Sequence, residues 1–93
     1  MTVKAVKHLI ITGRVQGVGY RDALSTLAQQ HGVTGWVRNR REGSVEAMVC
    51  GDDDALRAII AWAQNGPALA QVVSVHATDA EGVFETFEFW PAA

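Results

Sequence analysis

The stretch GRVQGVGYR, from Gly13 to Arg21, leaves a short chain few folds to choose from, because it must join a strand to a helix through a glycine-spaced loop. Before it, Val3–Thr12 contains Leu9-Ile10-Ile11 bounded by glycine, the pattern of a strand buried on both faces near the middle of a sheet. After it, Tyr20, Ala23, Leu24, Leu27, Ala28 and His31 recur at helical spacing, and Gly32 stops the run. Arg21 therefore falls in the first helical turn. Backbone N–H groups at Gly17, Val18, Gly19 and Tyr20 can converge there, the helix dipole adds positive potential, and a guanidinium offers paired donors. Together these suit an oxyanion such as phosphate.

A plain turn needs one glycine, whereas Gly13, Gly17 and Gly19 share this one connection and Arg21 follows at once. Two nucleotide motifs do not fit. No Lys-Ser/Thr pair follows the glycines as a Walker loop requires, and Asp22 stands where the dinucleotide fingerprint needs its third glycine, so ATP and NAD are not expected. An isolated arginine is usually a surface ion-pair member. In a first turn, however, the dipole repels a cation, and a bound anion would compensate.

Downstream, Val33–Asn39 and Ser44–Gly51 read as strands joined by Arg40-Arg41-Glu42-Gly43, a hairpin. Asp53 or Asp54 can cap a second helix whose Leu56, Ile59, Ile60 and Ala63 share a face, ended by Gly66-Pro67. Gln71–Thr78, with Val73 and Val75 alternating, gives a fourth strand, Ala80-Glu81-Gly82 a turn, and Phe84–Trp90 a fifth strand; Pro91-Ala92-Ala93 is expected to fray. The order βαββαββ predicts an α+β, ferredoxin-like two-layer sandwich: βαββαβ plus a fifth strand, an antiparallel sheet with both helices on one face. In this reading the second and third strands flank the first. Asn39, at a strand end and otherwise a plain turn former, would then lie close to the glycine loop.

Composition narrows the function. Ninety-three residues suffice for one domain, 1–93, and a net charge of −2 without a basic, aromatic-interleaved stripe argues against a nucleic-acid partner. An RNA-binding sheet would also need an aromatic-rich strand motif that is missing. The single cysteine, Cys50, permits no internal disulfide or paired-cysteine metal site and reads as a small strand hydrophobe. His8, His31 and His76 sit on separate elements, so no metal is expected, and Asp52-Asp53-Asp54 suits a helix start better than magnesium. Trp36, Trp62 and Trp90 read as packing residues, and Arg38, Arg40 and Arg41 as a solvated hairpin edge. No run approaches the roughly 18 apolar residues of a membrane span, and no signal peptide is evident. A cytoplasmic monomer without cofactor is the expectation.

The glycine loop, the run GWVRNRREGSVE (Gly35–Glu46) and GPALAQV after the second helix together resemble the acylphosphatase family essentially end to end. The resemblance implies a ferredoxin-like sandwich that cleaves carboxyl-phosphate anhydrides without a metal, its substrate a small acyl phosphate, with inorganic phosphate or sulfate as competitor. By motif match, the loop Gly13–Tyr20 (Val15, Gln16, Gly17, Val18, Gly19 and Tyr20) would cradle the phosphoryl group. Arg21 would bind it, and Asn39 would hold the attacking water; Arg21 and Asn39 are thus the expected catalytic pair. Four positions depart from the family pattern: Tyr20 for phenylalanine, Glu42 for aspartate, Ala68 for a second proline and Gln71 for a basic residue. A non-catalytic anion-binding or interaction module of the same fold is the alternative; it would share Arg21 and the loop but not need Asn39 for chemistry.

Overall fold

The computed structural model describes residues 4–93, so Val3, the first residue of the expected opening strand, lies outside the described residues. The elements follow in the order β1 (Lys4–Arg14), α1 (Tyr20–Gln30), β2 (Thr34–Asn39), β3 (Val45–Asp52), α2 (Asp53–Ala63), β4 (Gln71–Asp79) and β5 (Phe87–Phe89). They form a five-stranded sheet in the order β4-β1-β3-β2-β5. Registers align Leu9 with Ala47 and Val37, and Ile11 with Val45, on one face. All five are fully buried in a cluster with Leu24, Ala28, Leu56 and Ile59 of the two helices. Each large apolar side chain so buried contributes about 1.5–3 kcal/mol. This is the ferredoxin-like sandwich that the element order predicts.

Several expectations are corrected. β1 is an interior strand next to the central β3, but β2 is not its neighbour: the crossover through α1 leaves a strand's width that β3 fills, and β4 takes the other edge of β1. Nor is β1 buried on both faces. The helices cover only one, so Leu9 and Ile11 are sealed while Ile10 is half-buried. Three pairings are antiparallel, but β5 runs parallel to β2. To reach that edge from β4 the chain crosses the uncovered sheet face, where Val83 and Phe84 border an open groove with Val6, Cys50 and Thr34. The crossing uses residues 80–86, which is why β5 spans Phe87–Phe89 instead of Phe84–Trp90. The tail is not frayed: Trp90 N–H donates to Val37 O (2.9 Å), Ala93 N–H to Asn39 O (3.0 Å) and Arg41 N–H to Ala93 O (2.6 Å).

At the other edge, Thr12 pairs with Ser74 but Gly13 with Val72, so Val73 is an extra residue in a bulge. Val72 and Val75 thereby reach the core while Val73 is 81% exposed, against the simple alternation of Val73 with Val75. Gly13 has φ 119°, and a Cβ there would stand 2.7 Å from Val73 N and closer still to the Gln71 carbonyl oxygen. The bulge thus requires glycine where the loop leaves β1. α2 starts directly from β3 with Asp52 at its N-cap, so neither Asp53 nor Asp54 caps it; both occupy the first turn, where their charges favour the dipole.

The uncovered face carries a compact charge cluster. Glu46 is 8% exposed at its side chain and meets His8 Nε2 at 2.6 Å, Arg38 Nε at 2.7 Å and Arg40 Nη1 at 3.4 Å. Of the expected solvated hairpin edge, only Arg41 is fully exposed; Arg38 and Arg40 turn onto the sheet. Trp36 and Trp90 stack there with centroids 4.1 Å apart, and Arg38 lies 5.0 Å from the Trp36 ring. Burial pushes the Glu46 carboxyl up, but the hydrogen bonds from His8 and Arg38 outweigh it and hold it below the usual carboxylate range.

Gly13→Ala should destabilise the protein by roughly 2–3 kcal/mol, read as a lowered urea midpoint. A depressed carboxyl adds stability above its unfolded pKa of about 4.3 and loses it as pH falls through the folded value. Glu46→Gln should therefore cost about 1–3 kcal/mol near neutrality. Its deficit against the wild type should shrink below about pH 4, as urea titrations from neutral to acid pH would show.

Candidate functional site

The loop leaves β1 at the bulge and is anchored by Val15, 1% exposed, and by Val18, which packs on the core. Between and after these anchors Gly17 and Gly19 are exposed, with φ 73° and 80°. Gly19 is the N-cap of α1 and makes no side-chain cap, so its left-handed backbone turns the chain into the helix without blocking it. Ala23 N–H is bonded to Gly19 O at 3.1 Å. The amides of Tyr20, Arg21 and Asp22 precede it and, by helix geometry, have no carbonyl within the helix to meet. They carry the positive end of the dipole.

Tyr20 secures that end. Its hydroxyl donates to Ala63 O at 2.8 Å, and its ring lies 5.2 Å from that of Trp62, so the first residue of α1 is tied to the last turn of α2. Burial pushes its phenol well above the ordinary tyrosine value, which keeps it a donor. A phenylalanine here would lack that hydroxyl. Glu42 likewise serves the hairpin, accepting from Ser44 N and Ser44 Oγ and pairing with Arg40. Ala68 and Gln71 are exposed.

Asn39 ends β2. It pairs with Val45, which pairs on its other side with Ile11, so two strand spacings, about 10 Å, separate Asn39 from β1. The loop closes that gap by reaching over the end of β3. Gln16 Nε2 donates to Arg40 O at 2.7 Å and to Ser44 O at 2.9 Å, fastening the loop to both ends of the hairpin turn. The result is a cavity of about 100 Å³ lined by Val15, Gly17, Gly19, Tyr20, Arg21, Asp22 and Asn39. Asn39 Oδ1 is buried and has no hydrogen-bond partner. An orphaned acceptor costs about 1–3 kcal/mol, so it calls for an explanation.

Of the residues expected at the site, Val15, Gly17, Gly19, Tyr20, Arg21 and Asn39 come together around one cavity. Gln16 and Val18 belong to the loop but do not line it; one holds the hairpin and the other the core. Sequence reasoning missed Asp22, which faces the cavity from the first turn, and Phe89, whose ring lies 5.8 Å from the Arg21 guanidinium. Adjacency to Arg21 could have suggested Asp22. A larger groove of about 570 Å³ opens on the uncovered face beside His8, Thr12, Arg40 and Glu42, but Arg40 is paired with Glu42 and Glu46, and His8 with Glu46. The small cavity has the free donors and the free acceptor, so size does not decide between them. Among the described residues no three His, Cys, Asp or Glu side chains converge as metal ligands, and no helix is long and apolar enough to cross a membrane.

The acylphosphatase family model matches residues 7–89. An acylphosphatase from Thiobacillus denitrificans is 52% identical over 81 residues, covering 87% of this chain and 91% of the relative. One from Azoarcus is 51% identical over 76 residues, covering 82% and 78%. The solved structure of an acylphosphatase from Coxiella burnetii superposes with a TM-score of 0.90 at 30% identity, over 94% of this chain and 93% of that one. With the sandwich, the glycine loop and the match along most of its length in agreement, the chain belongs to the acylphosphatase family of hydrolases.

Proposed function

We propose that this chain hydrolyses small acyl phosphates to a carboxylate and inorganic phosphate, with residues 1–93 as one catalytic domain. The observation that carries this is that Asn39, whose buried Oδ1 has no hydrogen-bond partner, lines the same cavity as Arg21 and the first turn of α1. A cavity built only to bind an anion has no use for a lone acceptor. An acceptor there can hold a water by its proton.

The phosphoryl oxygens bind the loop and first-turn amides and the Arg21 guanidinium, which supplies planar, paired donors. Asn39 accepts a proton of the water through Oδ1 and can donate through its NH2, but it does not ionise, so it orients the water without deprotonating it. The water oxygen forms the new P–O bond as the bond from phosphorus to the acyl oxygen breaks. The electron pair leaves with the carboxylate, and the water's proton ends on phosphate or solvent. A carboxylate with a pKa of about 4 leaves without a general acid. In a loose transition state the remaining work is alignment and stabilisation of the equatorial oxygens, which these groups supply. The departing acyl portion projects from a cavity too small to enclose it, in keeping with tolerance of several small acyl groups.

A preorganised donor aimed at developing charge is worth on the order of 3 kcal/mol. Arg21→Lys should accordingly lower kcat/KM for benzoyl phosphate by about 100-fold or more. Asn39→Ala should lose turnover yet still bind inorganic phosphate, which in the wild type should inhibit competitively with EDTA present. Near-normal hydrolysis by either variant would remove the role assigned here, and a wild type that binds phosphate without turnover would leave a binding module instead.

A further inference from the structure

Among the described residues no carboxylate pairs with Arg21; the ion pairs all lie elsewhere, at Lys7–Asp79 and in the Glu42 and Glu46 groups. In the first turn of α1 the dipole opposes its charge. What lies beside it is an aromatic face: the Arg21 guanidinium carbon sits over the Phe89 ring, 5.8 Å from its centroid. Phe89 is paired with Val37 across β5 and β2, so it projects onto the helix-covered face, the same face as Val37 and, two residues on, Asn39. Glu88 and Trp90, its chain neighbours, belong to the opposite face, where Trp90 stacks on Trp36. A ring that is 48% exposed at the sheet edge is more than core filling.

The chemistry of the contact is what matters. A carboxylate in that place would neutralise the guanidinium and occupy its donors in competition with phosphate. A ring quadrupole attracts the cation while accepting none of its N–H groups, so all five stay available to a ligand. We propose that Phe89 is a positioning residue: it holds the Arg21 guanidinium at the phosphate cavity with its donors free. This rests on the hydrolase function proposed above.

The test compares Phe89→Leu, which keeps an apolar side chain but no quadrupole, with Phe89→Tyr, which keeps both. The measurements are the inhibition constant of inorganic phosphate, kcat and KM for acetyl phosphate, and the urea midpoint. Phe89→Leu should raise the phosphate inhibition constant and KM together by about two- to fivefold, and Phe89→Tyr should keep wild-type values. Inorganic phosphate has no acyl group, so a rise in KM alone would mean that the ring touches the acyl portion, and the proposal would be overturned. Equal losses in both variants, tracking the urea midpoint, would make the ring a structural spacer and overturn it too. If the wild type hydrolyses acetyl phosphate and Phe89→Leu matches it, the role of Phe89 alone fails. If the wild type neither turns over nor binds phosphate, the hydrolase proposal fails and takes this one with it.

Discussion

The Gln16 side chain joins the two parts of the candidate site. Its amide donates to the carbonyls of Arg40 and Ser44, and so ties the glycine loop to the mouth of the β2–β3 turn. β3 lies between β2, which Asn39 ends, and β1, from which the loop starts, and the bridge spans that width. The bridge is short because Val45 pairs both Ile11 and Asn39, which puts the end of β1 and the end of β2 level across the sheet. A one-residue slip in either register would turn Asn39 to the other face. Precision at the cavity is therefore inherited from backbone pairing in the most buried strand, the source of rigidity a positioned water requires.

The two faces of the sheet solve different problems. On the covered face the apolar side chains of β1, β2 and β3 meet both helices, with the loop and Asn39 at one end and the Lys7–Asp79 pair at the other. On the open face the sheet has no helix above it, and the chain covers it with charges that neutralise one another and with a tryptophan stack. Glu46 is nearly buried there, but three cationic or potentially cationic partners offset its desolvation. That self-pairing is why the larger groove offers a ligand little free charge. The small cavity keeps an unpaired arginine, helix amides and an amide oxygen without a partner, and chemistry goes where polar groups are unsatisfied.

The edges are handled with equal economy. β4 is bent by a bulge at the position where Gly13 must pass close to its backbone, and the same glycine releases the loop from β1. At the other side the tail continues the pairing of β5 past its end, and its bond to the Asn39 carbonyl leaves that residue held from both neighbours. Phe89 adds an aromatic wall under α1 at the same edge. Elements that look peripheral in the chain thus converge on Arg21 and Asn39, the two side chains to which we assign the chemistry.

Much of this was legible from residue order. Apolar periodicity placed the two helices and four strands to within a few residues, and the glycine spacing before Arg21 marked the turn that opens α1, because local sterics and helix geometry act over a handful of neighbours. The motif pair GRVQGVGYR and GWVRNRREGSVE carried the family. Strand order, the parallel fifth strand, the bulge that turns Val73 outward and the docked tail were not legible. Each depends on which backbone edges remain free once other strands have paired, and that is a property of the whole sheet. The same holds for Gln16, Asp22 and Phe89, whose parts are set by what the fold brings beside them. Sequence alone settled which groups this protein has to offer; the tertiary structure alone decided which of them stay unpaired, because only packing determines where a buried polar atom finds its partner.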